Sequence, residues 1–199
     1  MIRCFNGKGL MICARSLTYL SIFDPDCLGA IVTRDLSSLV KASVILSSDK
    51  FNFPIDTIVY GHRLLDGLSH AITLELHAPL HKLALERGLQ TCPMISNLTR
   101  LVLGDWCMTA DFYPLLRILQ SSRKLIELNL KLKMEECSIC KDSESVLLSS
   151  RATSLNTETY PFVDRIKIFC GKDDPRVSAL VQALLPFINP DGKICIQRC

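Results

Sequence analysis

The chain has no long apolar run, no strong excess of either charge and few aromatic side chains. Its 199 residues carry a formal net charge of +3, with Lys and Arg spread along the whole sequence, which does not indicate a nucleic-acid-binding surface. No apolar run approaches the ~20 residues needed to cross a bilayer. The opening MIRCFNGKGLMICARS has no uninterrupted apolar region before a small-residue cleavage site, so we do not interpret it as a signal peptide.

Motifs for catalysis and for metal binding are also missing. Cys137 and Cys140 form one C-x-x-C pair, whereas a structural zinc site usually needs a second pair of ligands, so we interpret this pair as part of a solvated loop. Four histidines fall close together without a matching carboxylate spacing, and ordinary surface or capping roles fit them better: His62, His70, His77 and His81. We expect no catalytic residue, no cofactor and no metal, and a protein that is not an enzyme.

The sequence is rich in hydrophobic residues and in cysteine. Hydrophobic residues make up 48% of the chain, enough for one sizeable core or one solenoid of several turns. Ten cysteines are many for an intracellular protein. Without a secretory signal we expect reduced thiols, several of them buried, in a cytoplasmic or nuclear protein; a disulfide framework is the weaker alternative.

One apolar motif recurs at a regular spacing. In NLTRLVLGDWC, at residues 97–107, three leucines stand in the order L-x-x-L-x-L, and the same pattern lies 27 residues earlier in HAITLEL and 27 residues later in KLIELNL. This spacing falls within the range of about 20–29 residues that is typical of leucine-rich repeats. Weaker copies are SLTYLSI, SLVKASV and FVDRIKIF. The sequence therefore predicts about six irregular repeats.

The motif favours an α/β fold: a leucine-rich-repeat solenoid with parallel strands and helical or irregular return segments. The last two apolar positions of each copy are two residues apart, so they point to the same face of a strand and into the core. We expect a short leader at residues 1–15, then one repeat domain at 16–199 with a long loop insert at about 134–160. One helix is predicted over 110–122, with Asp111 as N-cap and Pro114 in its first turn, and a second over about 174–187.

The stretch LTRLVLGDWCMTADFYPLLRILQSSRKLIELNLKL, at residues 98–132, resembles the leucine-rich-repeat region of plant F-box proteins. SLTYLSIFDPDCLGAIVTRDLSSLVKASVIL and VDRIKIFCGKDDPRVSALVQALL resemble an upstream section and the closing strand and helix of that region, so the likeness covers about residues 16–199. In that family the repeats are the substrate-binding arm of an SCF-type ubiquitin ligase, a cullin-RING enzyme, and an F-box docks on a Skp-type adaptor. No F-box precedes residue 16, which suggests a truncated relative, a fragment or an alternative gene model.

The resemblance implies a non-catalytic module that holds a target protein on its outward strand positions. A Skp-type adaptor is an expected partner only if an F-box is supplied upstream, and neither nucleic acid nor membrane is expected. The alternative is an interaction protein with no ligase link that competes with full-length relatives. For the strand face itself, the alternative of equal weight is a solvated surface without a partner. The candidate partner-binding residues are Tyr19, Ser21, Phe23, Lys41, Ser43, Thr73, Glu75, His77, Arg100, Val102, Glu127, Asn129, Lys131, Arg165, Lys167 and Phe169.

Overall fold

The computed structural model describes residues 2–5, 9–24, 30–46, 65–77, 93–106, 112–132 and 161–199. Within them the chain is an α/β protein with mostly parallel strands and few helices. The strands are β1 (Ile2–Phe5), β2 (Gly9–Cys13), β3 (Tyr19–Asp24), β4 (Ala30–Arg34), β5 (Lys41–Leu46), β6 (Thr73–His77), β7 (Arg100–Trp106), β8 (Glu127–Leu132), β9 (Val163–Cys170) and β10 (Ile188–Arg198). The loop insert expected at 134–160, with its C-x-x-C pair, lies outside the described residues.

The strands form two sheets. Seven of them make a parallel sheet in the order β3-β5-β6-β7-β8-β9-β10, so each strand lies beside the next member of the sheet along the chain. A smaller sheet has the order β1-β2-β4, with β1 antiparallel and β4 parallel to β2. The residues expected to be a leader thus contribute two strands, and Ile12 on β2 belongs to the same core as the large sheet.

The apolar motif sets the register of the large sheet. Its second positions stand side by side across the strands, and its third positions form a parallel row. The two rows are Leu20, Ala42, Leu74, Leu101, Leu128, Ile166 and Ile194, and Ile22, Val44, Leu76, Leu103, Leu130, Ile168 and Ile196. From β3 to β9 all of these side chains are buried, whereas Ile196 on the edge strand is 41% exposed.

The chain enters five of these strands through the same backbone geometry. Just before each strand the N–H of the first motif residue donates to the carbonyl three residues earlier, at residues 17, 39, 71, 98 and 125. One carbonyl in each unit then accepts two consecutive N–H groups of the next: Thr99 O accepts from Ile126 and Glu127, at 2.8 and 3.0 Å. The same pairing starts from the carbonyls of Thr18, Val40, Ile72 and Ile126. These bonds satisfy the backbone where the strands begin.

Within the described residues the return segments contain two short helices, besides a helical turn at residues 65–68. α1 (Tyr113–Gln120) precedes β8, and α2 (Arg176–Leu184) is followed by a 3-10 turn (Leu185–Phe187) that leads into β10. The N-cap of α1 is Phe112 in a left-handed conformation without a side-chain cap bond, so the expected capping by Asp111 is wrong. α1 starts later than expected because Pro114, with its fixed φ and missing N–H, fits best in the first turn.

α2 begins where the sequence predicts. The Asp174 carboxylate accepts the backbone N–H of Arg176 at 3.0 Å, and the Arg176 guanidinium clamps the same carboxylate with contacts of 2.8 and 2.6 Å. The pKa of Asp174 is lowered, chiefly by these hydrogen bonds from the Arg176 side chain. The N-cap residue itself is Pro175, and Asp174 just before it accepts the first N–H of the helix and forms an ion pair with Arg176.

Candidate recognition surface

The predicted site residues all lie on one face of the large sheet, here called the outer face. The strand register arranges them in three rows that run across the sheet. The first row is Tyr19, Lys41, Thr73, Arg100, Glu127, Arg165 and Lys193; the second is Ser21, Ser43, Glu75, Val102, Asn129, Lys167 and Cys195; the third is Phe23, Ile45, His77, Gly104, Lys131, Phe169 and Gln197. A register shift after Leu103 leaves Gly104 and Lys131 without a direct pairing.

The outer face also includes three residues that the sequence did not assign to it. Lys193, Cys195 and Gln197 on β10 continue the three rows beyond β9. The sequence KICIQ could have predicted this placement, because side chains alternate along a strand and the residues beside Ile194 and Ile196 therefore point to the outer face.

Aromatic side chains are the most exposed part of the outer face at its β3 end. Tyr19 is 52% exposed and Phe23 is 68% exposed, which is unusual for large apolar residues in a folded domain. The Lys41 ammonium lies 5.7 Å from the centre of the Tyr19 ring, within cation–π range. This end of the outer face therefore offers aromatic contact area together with a positive charge.

The middle of the outer face holds a tightly packed His–Glu pair. His77 and Glu75 form a hydrogen bond of 2.7 Å, and this bond is the main cause of a lowered pKa at Glu75. The His77 ring lies directly over Gly104 on the next strand, where a Cβ atom would overlap its Nδ1 atom. Glycine at 104 therefore makes room for the imidazole, which stays largely buried against the sheet.

A basic cluster surrounds Glu127 on strands β7 to β10. Glu127 is 16% exposed, and its oxygens lie 3.9 Å from Arg100 Nε, 3.8 Å from Arg165 Nη2 and 3.8 Å from Lys167 Nζ. Lys193 pairs with Arg165 in the strand register, whereas Lys131 lies farther along β8 and pairs with Phe169; both lysines are exposed. We call Arg100, Lys131, Arg165, Lys167 and Lys193 the basic cluster. Three of its five positive charges lie 3.8–3.9 Å from the Glu127 carboxylate.

Asn129 holds the Glu127 carboxylate in place from the same strand. Its Nδ2 donates to Glu127 Oε1 at 3.2 Å, and the side chain is buried. Its Oδ1 atom is also buried and has no donor among the residues described. Asn129 lies on the outer face, but its side chain is buried, and its amide fixes where the negative charge of Glu127 lies.

The described part of the chain contains no group of three His, Cys, Asp or Glu side chains placed to hold a metal ion. Among its cysteines, Cys170, Cys195 and Cys199 are free thiols, and the Cys13 thiol donates to the Asp35 carboxylate at 3.5 Å. Burial raises the pKa of Cys170. His70 is exposed beyond the helical turn at residues 65–68, while His62 and His81 fall outside the described residues. No helix in the described ranges is both long and apolar enough to span a membrane.

Three kinds of comparison were made with known proteins. No protein-family model, no curated protein and no solved structure matches the chain.

Proposed function

We propose that the chain is a non-catalytic protein-recognition module that holds a target protein on its outer face. The observation that carries this proposal is the register of the large sheet, which collects aromatic, basic and acidic side chains from seven strands into three rows. Such a mixture, with exposed Tyr and Phe beside Arg, is the composition of protein-contacting surfaces. Its intracellular site of action would be the cytoplasm or the nucleus.

We further propose that the fold is a leucine-rich-repeat solenoid of about six irregular repeats. Three features support it: the strands lie side by side in chain order, the two inner rows are apolar, and the entry junction recurs at five strands. Stacked units with parallel strands and return segments on the far side have this arrangement. The F-box resemblance of residues 16–199 then assigns target binding to the repeats and ubiquitin transfer to other subunits.

Alanine substitutions test the recognition role. Purified chain is used to select binding partners from a displayed protein library, and the affinity of each partner is then measured for Tyr19→Ala, Arg100→Ala and Lys167→Ala. Each substitution removes exposed contact area or charge, so each should weaken binding while leaving the thermal unfolding midpoint close to that of the unmodified chain. Unchanged binding in all three variants would refute the outer face as the site.

The alternative is an interaction protein with no link to a ubiquitin ligase. Residues 9–13 form β2, and Ile12 on this strand belongs to the common core, so this part of the chain is a strand and not a helical docking module. Co-precipitation with a Skp-type adaptor distinguishes the two functions. The ligase proposal requires adaptor binding by the product that carries an F-box upstream, whereas the alternative requires a chain that binds targets and never the adaptor.

A further inference from the structure

We propose that the basic cluster binds an extended acidic segment of a partner protein. This inference rests on the proposed function, because it names the chemistry of the target that the outer face would hold. The remainder of the outer face, with Tyr19 and Phe23 at the β3 end, would then contact other parts of the same partner.

The cations of the basic cluster keep donors for a ligand. Their distances to Glu127, 3.8–3.9 Å, exceed the roughly 2.7–3.2 Å of a hydrogen bond. Among the residues that the structure describes, Glu127 supplies the carboxylate within ion-pair distance of Arg100, Arg165 and Lys167. The three side chains are half-exposed, and each guanidinium has five N–H groups in a fork that fits a carboxylate. A carboxylate of a partner protein could therefore accept hydrogen bonds from these N–H groups.

The outer face also concentrates the positive charge of the chain. Its three rows contain six Lys and Arg side chains and two carboxylates, Glu75 and Glu127, which is a net charge of +4. The whole chain has a formal net charge of +3. Five of the six cations belong to the basic cluster, so the attraction for a negative ligand is strongest on β7 to β10.

The spacing of the strands fits a peptide that crosses them. Arg100 on β7 and Arg165 on β9 are two strands apart, which corresponds to about 10 Å at the usual separation of parallel strands. An extended chain advances about 3.3 Å per residue, so acidic side chains two or three residues apart can meet both guanidinium groups. Crossing from β7 to β10 needs only about five residues.

A peptide fits this surface better than a nucleic acid does. A phosphate backbone carries a negative charge at every nucleotide, whereas a peptide can place carboxylates against the cations and uncharged side chains against Glu127. Val102 and Phe169 lie in the rows beside the basic cluster and are partly exposed, which suits apolar side chains of a peptide. A segment that alternates acidic and apolar residues matches both features.

Peptide display on the purified full chain is the direct test. Random peptides of about twelve residues are selected, and the affinity of an enriched peptide and of its Gln-for-Glu counterpart is measured by fluorescence anisotropy. We expect enrichment of Asp and Glu, and loss of about tenfold or more in affinity for Arg100→Gln combined with Arg165→Gln. The matched control is Arg123→Gln with Lys124→Gln, which removes the same charge from an exposed turn and should stay within about twofold.

Glu127→Gln gives a second, opposite signal. Glutamine still accepts the Asn129 amide but no longer carries the charge that competes with a ligand carboxylate, so acidic peptides should bind several-fold more tightly. Circular dichroism melts of every variant show whether the fold is intact. Weaker binding by folded Glu127→Gln would overturn the proposal.

The other outcomes separate this inference from the proposed function. Selected peptides without acidic enrichment that still lose binding on the outer-face variants would overturn the acidic partner and leave the outer face as the recognition site. Peptides that bind every variant equally would overturn both. Displacement of the acidic peptide by single-stranded DNA of equal charge, with equal affinity, would also overturn the inference, because the surface would then distinguish only charge.

Discussion

At the scale of single residues, Gly104 is a position on the outer face where a larger side chain does not fit. The ring of His77 occupies the space in which any Cβ at 104 would lie, and that ring is held by its hydrogen bond with Glu75. A side chain at 104 must therefore displace the imidazole or move the strand. Because Gly104 has no side chain, the His77 ring of β6 packs directly against β7.

Gly104→Ala should lower the free energy of unfolding by about 1–3 kcal/mol, because the added methyl group overlaps the His77 ring. His77→Ala removes that ring, so the double variant should be more stable than the sum of the two single changes predicts. Urea unfolding of the four chains in this cycle measures the coupling. Strictly additive effects would contradict the contact between the two residues.

Single residues also show where sequence reasoning succeeds and where it stops. The outward residues of β3 and of β5 to β9 could be assigned because the inner motif positions fix the phase of each strand and side chains alternate, whereas those of β10 were missed. The basic cluster could not be foreseen as a cluster. Arg100, Glu127 and Arg165 are far apart in the chain. Their charged side chains come together only because β7, β8 and β9 pair side by side.

At the scale of elements, α2 depends on one acidic side chain. Asp174 accepts the first backbone N–H of the helix and both arms of the Arg176 guanidinium, and its side chain is 7% exposed. The helix places Leu180 and Leu184 in the core, and β10 follows it in the chain. Loss of the cap would therefore loosen the last strand as well as the helix.

Asp174→Asn should destabilise the chain by about 1–2 kcal/mol at neutral pH, since it keeps a cap acceptor but loses the ion pair. Asp173→Asn, at the exposed neighbouring position, is the matched control and should have almost no effect. Thermal melts at fixed pH measure both. Equal shifts in the two variants would refute the special role of Asp174.

The same carboxyl sets a pH dependence. Its pKa is lower in the folded chain than in the unfolded chain, so the folded state is favoured by the ionised form. This stabilisation is complete above the ordinary aspartate pKa, about 3.9, and is lost as the pH falls through the lowered folded value. In Asp174→Asn the acid limb of the stability curve should be flatter, and an unchanged limb would contradict this origin.

Elements also differ in how far the sequence anticipates them. The strands and α2 follow from motif phase and from DDPR, whereas the small sheet was not expected. Its strands β2 and β4 pair in parallel, and short runs such as AIVTR lack the L-x-x-L-x-L motif from which strands of the large sheet were assigned. The left-handed Phe112 before α1 is likewise invisible in a helix-start pattern that favours Asp111.

At the scale of the whole molecule, one continuous core connects both sheets. Ile12 on the small sheet belongs to the same cluster as the inner rows of the large sheet, and Thr33 on β4 occupies the space next to Gly67 in the helical turn before β6. Because the two sheets share this core, we expect them to unfold together. The inner rows then dominate the stability of the whole.

Leu101→Ala should cost about 2–5 kcal/mol, because the side chain is fully buried in the middle of the inner row. Ile196→Ala, at the partly exposed end of the neighbouring row, should cost much less. Comparing the two variants by chemical denaturation, followed by both circular dichroism and intrinsic fluorescence, tests this gradient and the single transition. Similar costs at both positions would contradict the burial gradient across the sheet.

The entry junctions have a consequence for how such a chain can change over evolutionary time. At five strands the link from one unit to the next includes two bonds between backbone carbonyl and amide groups, which every amino acid except proline supplies in full. The stretches between strands can therefore lengthen or shorten without shifting the sheet, and outer-face side chains can be exchanged one at a time. A new binding preference would need only point substitutions on a scaffold that already folds.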